Sequence, residues 1–242
     1  MAYKIALNAG HYMGEPGRRC MKKFDPNETR EWWLNDRIAD KVEKLLNNYT
    51  GYELLRIDDT TGKNEVSLTA RTNAANNFGA NIYLSIHHNG GINGGKGGGI
   101  VAIVYTNASA ESLAWQKDLY NELIAATGLK GNRAEPLAKQ NLHEVRETNM
   151  AAVLLELGFM DSATDVPVII TEKYADQCAT AIVKVLVKRG KLTAKPVVPA
   201  EPKTECIYRV QVGAFSKRPG AETMLNQLRE AGFCGIIVKA EK

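Results

Sequence analysis

The apolar residues of this chain fall into short continuous runs that alternate with longer stretches of helical spacing. The short runs predict buried strands, whereas residues 31–46 repeat apolar side chains with the period of a helix. This alternation predicts an α/β fold, in which a twisted, mainly parallel sheet is covered by helices on both faces. The predicted strands are "KIALNAG", "YELLRI", "NIYLSI", "GIVAIVY" and "AAVLLELG", and the other predicted helices are "VSLTARTNAANNFGA", closed by Gly79, "SAESLAWQKDLYNELIAATG" and "KYADQCATAIVKVLVKRG".

A proline-bearing stretch divides the chain. Residues 191–205, "KLTAKPVVPAEPKTE", contain three prolines and no regular apolar period, which predicts a linker of extended chain. Residues 1–190 are then a large first domain, and residues 206–242 predict a small strand–helix–strand (βαβ) unit. The apolar residues on the inner face of its helix are Ala221, Leu225 and Leu228.

Composition narrows the class of protein. Of the 242 residues, 44% are hydrophobic and 24% charged, and no apolar run approaches the length of a membrane span. The N-terminus lacks the basic and apolar regions of a secretory signal, so we expect synthesis in the cytoplasm without a signal peptide. The four cysteines form no C-x-x-C pair, which favours free thiols. A net charge of +4 mildly favours polyanions such as an anionic cell wall but selects no partner.

The glycine-rich stretch "GGINGGKG" partly matches a phosphate-binding loop, because Gly90 is followed by Gly95 and Lys96 at the required spacing. The match fails at Gly97, where the motif needs a serine or threonine hydroxyl. It fails again in the following "IVAIVY", which predicts a strand where the motif needs a helix N-terminus. We therefore expect a flexible loop between two strands and no nucleotide site.

Polar side chains stand at the ends of the predicted strands. "KIALNAGH" ends in His11, "NIYLSIHHNG" ends in His87 and His88, and Glu156 interrupts the apolar run "AAVLLELGF". Open α/β sheets gather polar chemistry at strand ends, and a buried carboxylate is costly unless it is paired or near a metal. Two imidazoles, one carboxylate and a water are a common hydrolytic zinc site, with a second carboxylate as general base. The sequence therefore predicts a zinc-dependent hydrolytic centre.

The missing third ligand should be acidic, and "NETREWWLNDR" offers Glu28 and Glu31 just ahead of the first helix. Spacing alone leaves both open. Four segments together resemble the zinc-dependent N-acetylmuramoyl-L-alanine amidases of the type 3 family, in order and over nearly all of residues 3–190. The segments are "IALNAGH", "REWWLN", "VSLTARTNAANNFGANIYLSIHHNG" and "LHEVRETNMAAVLLELGFMDS".

This resemblance implies one zinc ion and its three ligands. The first is the histidine that closes the first strand, which matches His11, and the second is a glutamate four residues before an asparagine, which matches Glu31. The third is the first histidine of a Ser-Ile-His-x-Asn stretch, which matches His87. Glu31 is thus favoured over Glu28. His88 takes a variable position, for which we expect a structural role.

The resemblance also implies the reaction. The catalytic glutamate of the family lies in a Leu-x-Glu-x-Gly-Phe stretch, which matches Glu156 in "LLELGF". It implies that Glu156 activates the water at the zinc ion and that the amide between N-acetylmuramic acid and L-alanine is cut. The same glutamate then passes the proton to the leaving amine. In "LHEVRET", His143 receives no role, and Arg146 could equally hold a loop or touch substrate.

The chain departs from the family at two places. Asn8 stands where the family often has aspartate before its Ala-Gly-His, and "YMGEPGRRC" replaces the usual Gly-Gly-x-Asp loop. Metal-bound histidines normally donate their other N–H to an outer acceptor, so Asn8 is expected to change the tuning of the site without removing the metal.

The tail resembles the first half of a sporulation-related repeat (SPOR) domain, a peptidoglycan-binding module, on the motif "VQVGAF". The resemblance implies Gln211 and Phe215 as wall contacts. Since the full module is built from two similar halves, we expect a homodimer through residues 206–242 that completes one sheet. The alternative is a monomer whose tail packs on its own first domain or is partly disordered. For the motif itself, the alternative to a SPOR half is a βαβ appendage without a wall-binding role.

The predicted partner is bacterial peptidoglycan, and neither a nucleic acid nor a membrane is expected. A wall hydrolase made without a signal peptide needs another route out of the cell. In this respect the chain resembles a phage or prophage endolysin, which leaves through a holin. A host autolysin freed at mother-cell lysis fits the sequence too. Two other functions stay open: another zinc-dependent peptidoglycan peptidase or carboxypeptidase, and a non-catalytic wall-binding protein. Glu156 argues against the last, since a binder has no need of a buried carboxylate.

Overall fold

The computed structural model describes residues 2–196 and 211–239. The chain forms two compact units, residues 1–196 and residues 197–242, which are described separately. Among the described residues, no helix has the length and apolar character needed to cross a membrane.

The first unit contains every strand and helix that the hydrophobic pattern predicts for it. Five further elements were not predicted, because each has only two to four residues and is too short to show a period. In chain order the elements are β1 (Tyr3–Ala9), α1 (Glu31–Leu46), β2 (Tyr49–Thr50), β3 (Tyr52–Arg56), α2 (Leu68–Phe78), β4 (Ile82–Asn89), β5 (Ile100–Val104), α3 (Ala110–Thr127), β6 (Leu137–Lys139), α4 (His143–Arg146), β7 (Ala151–Phe159), α5 (Val166–Ile169), α6 (Glu172–Gly190) and β8 (Thr193–Ala194).

Six of the strands form one sheet in the order β3-β1-β4-β7-β5-β6. Every neighbouring pair is parallel except β5 and β7, so the predicted mainly parallel sheet is confirmed. The strands β1, β4 and β7 lie side by side in the centre. In their register, Ala9 is beside Ile86 and His87 is beside Glu156, which brings three strand ends to one edge of the sheet.

Helices cover both faces of the sheet, as predicted. The larger core lies between one face and α1, α3 and α6, and it takes Ile82, Leu84 and Ile86 from β4. The smaller core lies on the other face, under α2 and α4, and it takes Tyr83 from the same strand. Alternate residues of a strand point to opposite faces, so each face receives its own set of β4 side chains.

Three of the helices have a serine or threonine N-cap. The side chains of Ser67, Ser109 and Thr171 each accept a hydrogen bond from a backbone N–H in the first turn of α2, α3 or α6. The predicted end of α2 is confirmed, since Gly79 follows the helix in the left-handed region with φ of 67°.

The first unit continues past residue 190. β8 pairs antiparallel with β2, so Thr193 lies beside Thr50, and the preceding Leu192 is buried. The first residues of the predicted linker are therefore folded onto the first unit. Residues 197–205 of that linker lie outside the described residues.

In the second unit, residues 211–239 contain one helix, α7 (Arg218–Glu230), and no strand. Residues 206–210, in the first predicted strand, lie outside the described residues. Isolated strand pairs are marginal in water, and the flanking apolar side chains have no sheet partner in the described segment. The least exposed residues of α7 follow a helical period and include the predicted inner face. They are Ala221, Met224, Leu225 and Leu228.

Candidate metal centre and active site

His11, Glu31 and His87 converge at the edge of the sheet, where each offers one ligand atom within 4.8 Å of the other two. His11 Nε2 and His87 Nδ1 each lie 3.3 Å from Glu31 Oε1. The two imidazole rings meet edge to face, with centroids 4.9 Å apart. The arrangement thus presents Nε2 of His11 and Nδ1 of His87 to one point beside the carboxylate.

The backbone after β1 is shaped to bring the two histidines together. His11 has φ of 67°, in the left-handed region that few residues other than glycine adopt. Gly10 lies directly against the His87 ring, and a Cβ atom at this position would overlap that ring. The Ala-Gly-His sequence is therefore a packing requirement, because only glycine lets the rings approach.

Glu31 is the first residue of α1, and it is buried with an exposed fraction of 1%. Its own N–H donates to Arg18 O, and the His88 N–H donates to Glu31 Oε1 at 3.2 Å. Burial alone would raise the pKa of this carboxyl, but its contacts with His11 and His87 hold the pKa well below the usual range. The positive end of α1 also favours a carboxylate here.

Glu28 lies in a different environment from Glu31. Its carboxylate oxygens are 3.6 Å from Arg19 Nη1 and 3.9 Å from Lys22 Nζ, and its side chain is 35% exposed. Glu28 therefore pairs with cations of its own loop and is not part of the cluster formed with the histidines.

The adjacent histidines point to opposite faces of β4. His87 shares the face of Tyr83 and Ser85, whereas His88 points toward α1, where its Nδ1 is 2.8 Å from Asn35 Oδ1. Asn35 donates its Nδ2 to Gly10 O, so that Oδ1 accepts and His88 Nδ1 carries the proton. Burial lowers the pKa of His88 to about 3. His88 is thus a neutral residue that links α1 to β4.

Glu156 stands beside His87 in the register of β4 and β7. Its Oε2 is buried and has no hydrogen-bond partner among the described residues. Burial raises the pKa of Glu156 to about 7, against an opposing effect of His87. A carboxyl group that titrates near neutral pH beside a cluster of metal-type ligands is suited to exchange protons as a general base and acid.

Two carboxylates that the sequence interpretation missed stand behind the histidines. Glu15 Oε2 is 2.6 Å from His11 Nδ1, and Glu144 Oε2 is 3.4 Å from His87 Nε2. Each of these nitrogens is the one turned away from Glu31. Neither contact had a local sequence signal. Glu15 lies in a loop, where a spacing of four residues implies no contact, and Glu144 belongs to a four-residue helix.

Glu144 is the centre of a buried polar network, with an exposed fraction of 4%. Its Oε1 accepts hydrogen bonds from Tyr83 Oη at 2.6 Å, Asn8 Nδ2 at 2.7 Å and Ser85 Oγ at 3.2 Å. Burial alone would raise the pKa of Glu144, but His87 and, to a smaller extent, the Tyr83 hydroxyl lower it to about 2. The group is therefore a buried anion in this fold.

Arg71 completes this network from α2. Its Nη1 donates to Asn8 Oδ1 at 2.6 Å and to Ala9 O at 3.0 Å, and its Nη2 donates to His11 O at 3.0 Å. The guanidinium thus fixes the chain at the left-handed residue His11. Asn8, the predicted departure from the family, joins Arg71 on one side to Glu144 on the other.

Other charged residues near the strand ends have simpler contacts. Arg18 is half exposed and lies 3.8 Å from Glu15 Oε1 and 3.9 Å from Glu31 Oε2. Arg146, at the end of α4, donates to Glu147 and Asn141, and its two possible roles both stay predictions.

The glycine-rich loop is held by acidic side chains and does not offer its amides to a phosphate. Gly91 and Asn93 donate their N–H groups to Asp161 Oδ2, and Gly99 donates to Asp165 Oδ2. The loop that was expected to be flexible is therefore tied to the chain after β7 by these hydrogen bonds. This agrees with rejection of the nucleotide motif, because those amides already have anionic partners.

The predicted wall contacts of the tail lie in the second unit. Gln211 is exposed, with its Nε2 3.4 Å from Gly213 O, and the Phe215 ring is 45% exposed. A Cβ atom at Gly213 would contact the Phe215 ring, so this ring lies close to its own backbone.

The residues of the first unit fit a zinc ion. Two imidazole nitrogens and one carboxylate are the ligands of many catalytic zinc sites. Glu31 Oε2 is buried without a hydrogen-bond partner among the described residues, which leaves an anionic oxygen free to coordinate. The carboxylates behind both histidines are the outer contacts that zinc-binding imidazoles normally have.

Comparison with known proteins agrees with this geometry. Residues 5–188 match the family described as N-acetylmuramoyl-L-alanine amidase, and residues 188–239 match the SPOR domain. The chain is 30% identical over 236 residues to the sporulation-specific N-acetylmuramoyl-L-alanine amidase of Bacillus subtilis, covering 97% of this chain and 84% of that protein. It is 29% identical over 238 residues to the N-acetylmuramoyl-L-alanine amidase CwlM of Bacillus licheniformis, with the same coverage.

Among solved structures, an N-acetylmuramoyl-L-alanine amidase from Clostridium difficile 630 is similar, with a TM-score of 0.68 and 27% identity. The match covers 77% of this chain and 96% of that chain. The resemblance seen in the sequence is thereby confirmed, and the chain belongs to the N-acetylmuramoyl-L-alanine amidase family.

Proposed function

We propose that the first unit is a zinc-dependent hydrolase that cuts the amide bond between N-acetylmuramic acid and the L-alanine of the peptidoglycan stem. The observation that carries the proposal is the convergence of His11, Glu31 and His87 beside the carboxylate of Glu156. His11 would hold the ion through Nε2 and His87 through Nδ1, since these atoms face Glu31. Membership of the amidase family supports the same reaction.

The chain's own residues divide the chemistry between them. Zinc, when bound, supplies a Lewis acid for the amide carbonyl. Glu156 takes a proton from the attacking water and delivers it to the amine of the leaving L-alanine. Burial raises the pKa of Glu156 in the zinc-free protein, which favours a group that can hold a proton and return it. Glu15 and Glu144 hold the outer nitrogens of the two histidines.

The test is digestion of purified peptidoglycan by the zinc-loaded chain, followed by mass spectrometry of the soluble products. The proposal expects free stem peptides with an L-alanine N-terminus and intact glycan strands. Products cut within the stem would identify a peptidase or carboxypeptidase instead. Binding without any soluble product would identify a wall-binding protein, and Glu156→Gln serves as the matched inactive control.

For the second unit we propose attachment to the wall, with Gln211 and Phe215 as contacts. The match of residues 188–239 to the SPOR domain supports this, as does the exposure of the Phe215 ring. Co-sedimentation of the full chain with purified walls should weaken in Phe215→Ala. Phe233→Ala is a matched control, because Phe233 is a 64% exposed aromatic residue of the same unit. Equal binding by all three proteins would reject Phe215 as a contact.

We also propose that the second units of two chains associate. Val212, Ile236 and Val238 are 57%, 83% and 65% exposed, and a second copy would cover the apolar residues that flank α7. Light scattering at tens of micromolar should show a dimer for the full chain. Ile236→Lys with Val238→Lys should then give a monomer, and a monomeric wild-type chain would reject the association.

The route to the wall stays a prediction. We propose release through a holin or by lysis, which fits both an endolysin and an autolysin. Similarity along 97% of the chain to an amidase described as sporulation-specific supports a role during sporulation. Immunoblots across a sporulating culture and after prophage induction would separate the two routes by when the protein appears.

A further inference from the structure

We propose that Glu144 is a positioning residue, which holds His87 with a proton on Nε2 so that Nδ1 is free to bind the metal. The inference rests on the proposed zinc site and extends it to a residue of this chain outside the ligand set. It concerns the orientation and tautomer of one imidazole, and Glu144 itself touches neither the metal position nor the scissile bond.

The two nitrogens of His87 face two different carboxylates. Nδ1 lies 3.3 Å from Glu31 Oε1, on the side of the ligand cluster, and Nε2 lies 3.4 Å from Glu144 Oε2, on the side of α4. His87 Nε2 is buried and makes no hydrogen bond to any described residue in this structure, but Glu144 Oε2 is the carboxylate oxygen beside it. Glu144 is therefore the acceptor available to an Nε2 proton.

The rest of the network fixes which oxygen of Glu144 serves His87. Oε1 is occupied by Tyr83 Oη at 2.6 Å and Asn8 Nδ2 at 2.7 Å, which leaves Oε2 toward the imidazole. A flip of the Asn8 amide would lose a hydrogen bond, because Asn8 Oδ1 accepts from Arg71 Nη1 at 2.6 Å. Asn8 must therefore donate to Glu144, and the carboxylate is held in one orientation.

This arrangement makes Glu144→Gln a specific test. The oxygen of a glutamine must stay at the Oε1 position, because the Asn8 Nδ2 must donate there. Its NH₂ group then points at His87 Nε2 and can be satisfied only by a lone pair on that atom. His87 would carry its proton on Nδ1, the nitrogen that the metal requires, so an almost isosteric substitution opposes metal binding through the tautomer.

The first measurement is zinc affinity of the full-length chain, by competition with a chromophoric chelator. Glu144→Gln should bind zinc about 10- to 100-fold more weakly than wild type, the usual effect of losing an outer contact to a metal-bound histidine. Glu147→Gln, which changes an exposed carboxylate in the same segment, should bind like wild type. Equal affinities for wild type and Glu144→Gln would overturn the inference.

A second measurement needs no variant of Glu144. Nitrogen-15 NMR of the zinc-loaded full-length chain, labelled at its four histidines, reports which ring nitrogens carry protons. His88→Gln and His143→Gln assign two of the four sets of signals, and the contact of the His87 ring with Gly10 distinguishes His87 from His11. His87 should show a protonated Nε2, and a proton on Nδ1 would overturn the inference even if Glu144→Gln failed to fold.

His11→Ala separates this inference from the function on which it rests. If zinc affinity does not fall in His11→Ala, the metal site itself is wrong, and the role of Glu144 falls with it. If His11→Ala loses zinc while Glu144→Gln keeps it, the site stands and only the positioning role is rejected.

Discussion

Gly10 and His87 are in direct contact: the backbone of Gly10, at the end of β1, lies against the imidazole of His87, at the end of β4, with no room for a Cβ atom. The contact decides how close the ring of His87 comes to the next residue, His11, since the two ring centroids are only 4.9 Å apart. The absence of a Cβ atom at Gly10 therefore allows the close approach of His11 and His87, two of the three proposed ligands.

Gly10→Ala should leave the sheet folded but push the His87 ring out of position. We expect zinc affinity to fall at least as far as the roughly 10- to 100-fold loss typical of changes to outer contacts. Chelator competition measures it. Gly14→Ala is the matched control, because Gly14 belongs to the loop after His11 and its neighbour there is the Tyr12 ring. Wild-type affinity in Gly10→Ala would show that the two rings can separate without loss.

Glu31→Gln and Glu28→Gln test which acidic residue of "NETREWWLNDR" is the ligand. Glu31 reaches both histidines, whereas Glu28 pairs with Arg19 and Lys22. Glu31→Gln should lose most zinc affinity, and Glu28→Gln should keep it. In an anomalous-scattering map of zinc-loaded crystals, the ion should lie about 2.0–2.2 Å from His11, Glu31 and His87. Coordination by Glu28 would reject the assignment.

Glu156→Gln should bind zinc normally and lose about 10²- to 10⁴-fold in the rate of peptidoglycan hydrolysis, the usual effect of removing a general base. Release of soluble stem peptides gives the rate, and chelator competition confirms that the variant is loaded. Near-normal release by the loaded variant would mean that another group takes the proton from water.

The hydrophobic pattern predicted most of the fold and part of the site, and the reason is visible in β4. Its apolar run and its terminal histidines are local features, so the strand, its end and the chemistry there can be read from one segment. Glu144 contacts His87 across 57 residues of sequence, since it lies on a four-residue helix with no period. Such a contact depends on how helices and sheet pack, which short-range spacing does not record.

His87 and His88 have different roles because adjacent residues of a strand point to opposite faces, and this alternation can be read from the sequence. Tyr83, Ser85 and His87 share one face by alternation, and Glu144 contacts all three.

The tail shows the opposite case. Its strand–helix–strand pattern predicted two strands. The first lies largely outside the described residues, and residues 231–239 contain no strand, because strands need partners that the pattern does not identify.

Stability of the zinc-free protein should depend on pH through Glu156. Burial raises the pKa of this group from 4.5 to about 7 in the folded state, so the fold favours its protonated form. That contribution is fully present below about pH 4.5 and is lost as the pH rises through about 7. The apo Glu156→Gln variant should therefore gain melting temperature relative to wild type between pH 5 and pH 8. A constant difference across this range would contradict the raised pKa.

Asn8→Asp places a second carboxylate against Glu144. The Asn8 Nδ2 lies 2.7 Å from Glu144 Oε1, so an aspartate would replace a hydrogen bond by two facing oxygens, although it would keep its contact with Arg71. We expect a loss of about 1–3 kcal/mol in the free energy of unfolding, the usual cost of an unsatisfied buried polar group. Thermal or urea unfolding of the zinc-free chain measures it.

The double variant Asn8→Asp with Glu144→Gln should recover what each single change loses. An aspartate at position 8 accepts, so the glutamine NH₂ can turn toward it, and the glutamine oxygen then faces His87 Nε2 as Glu144 Oε2 did. Tyr83 and Ser85 are hydroxyls and can accept as well as donate, so neither opposes the reversal. Both stability and zinc affinity should exceed those of the worse single variant, and a double-mutant cycle measures the coupling. Additive losses would mean that Asn8 and Glu144 act on the site independently, in conflict with the 2.7 Å contact between them.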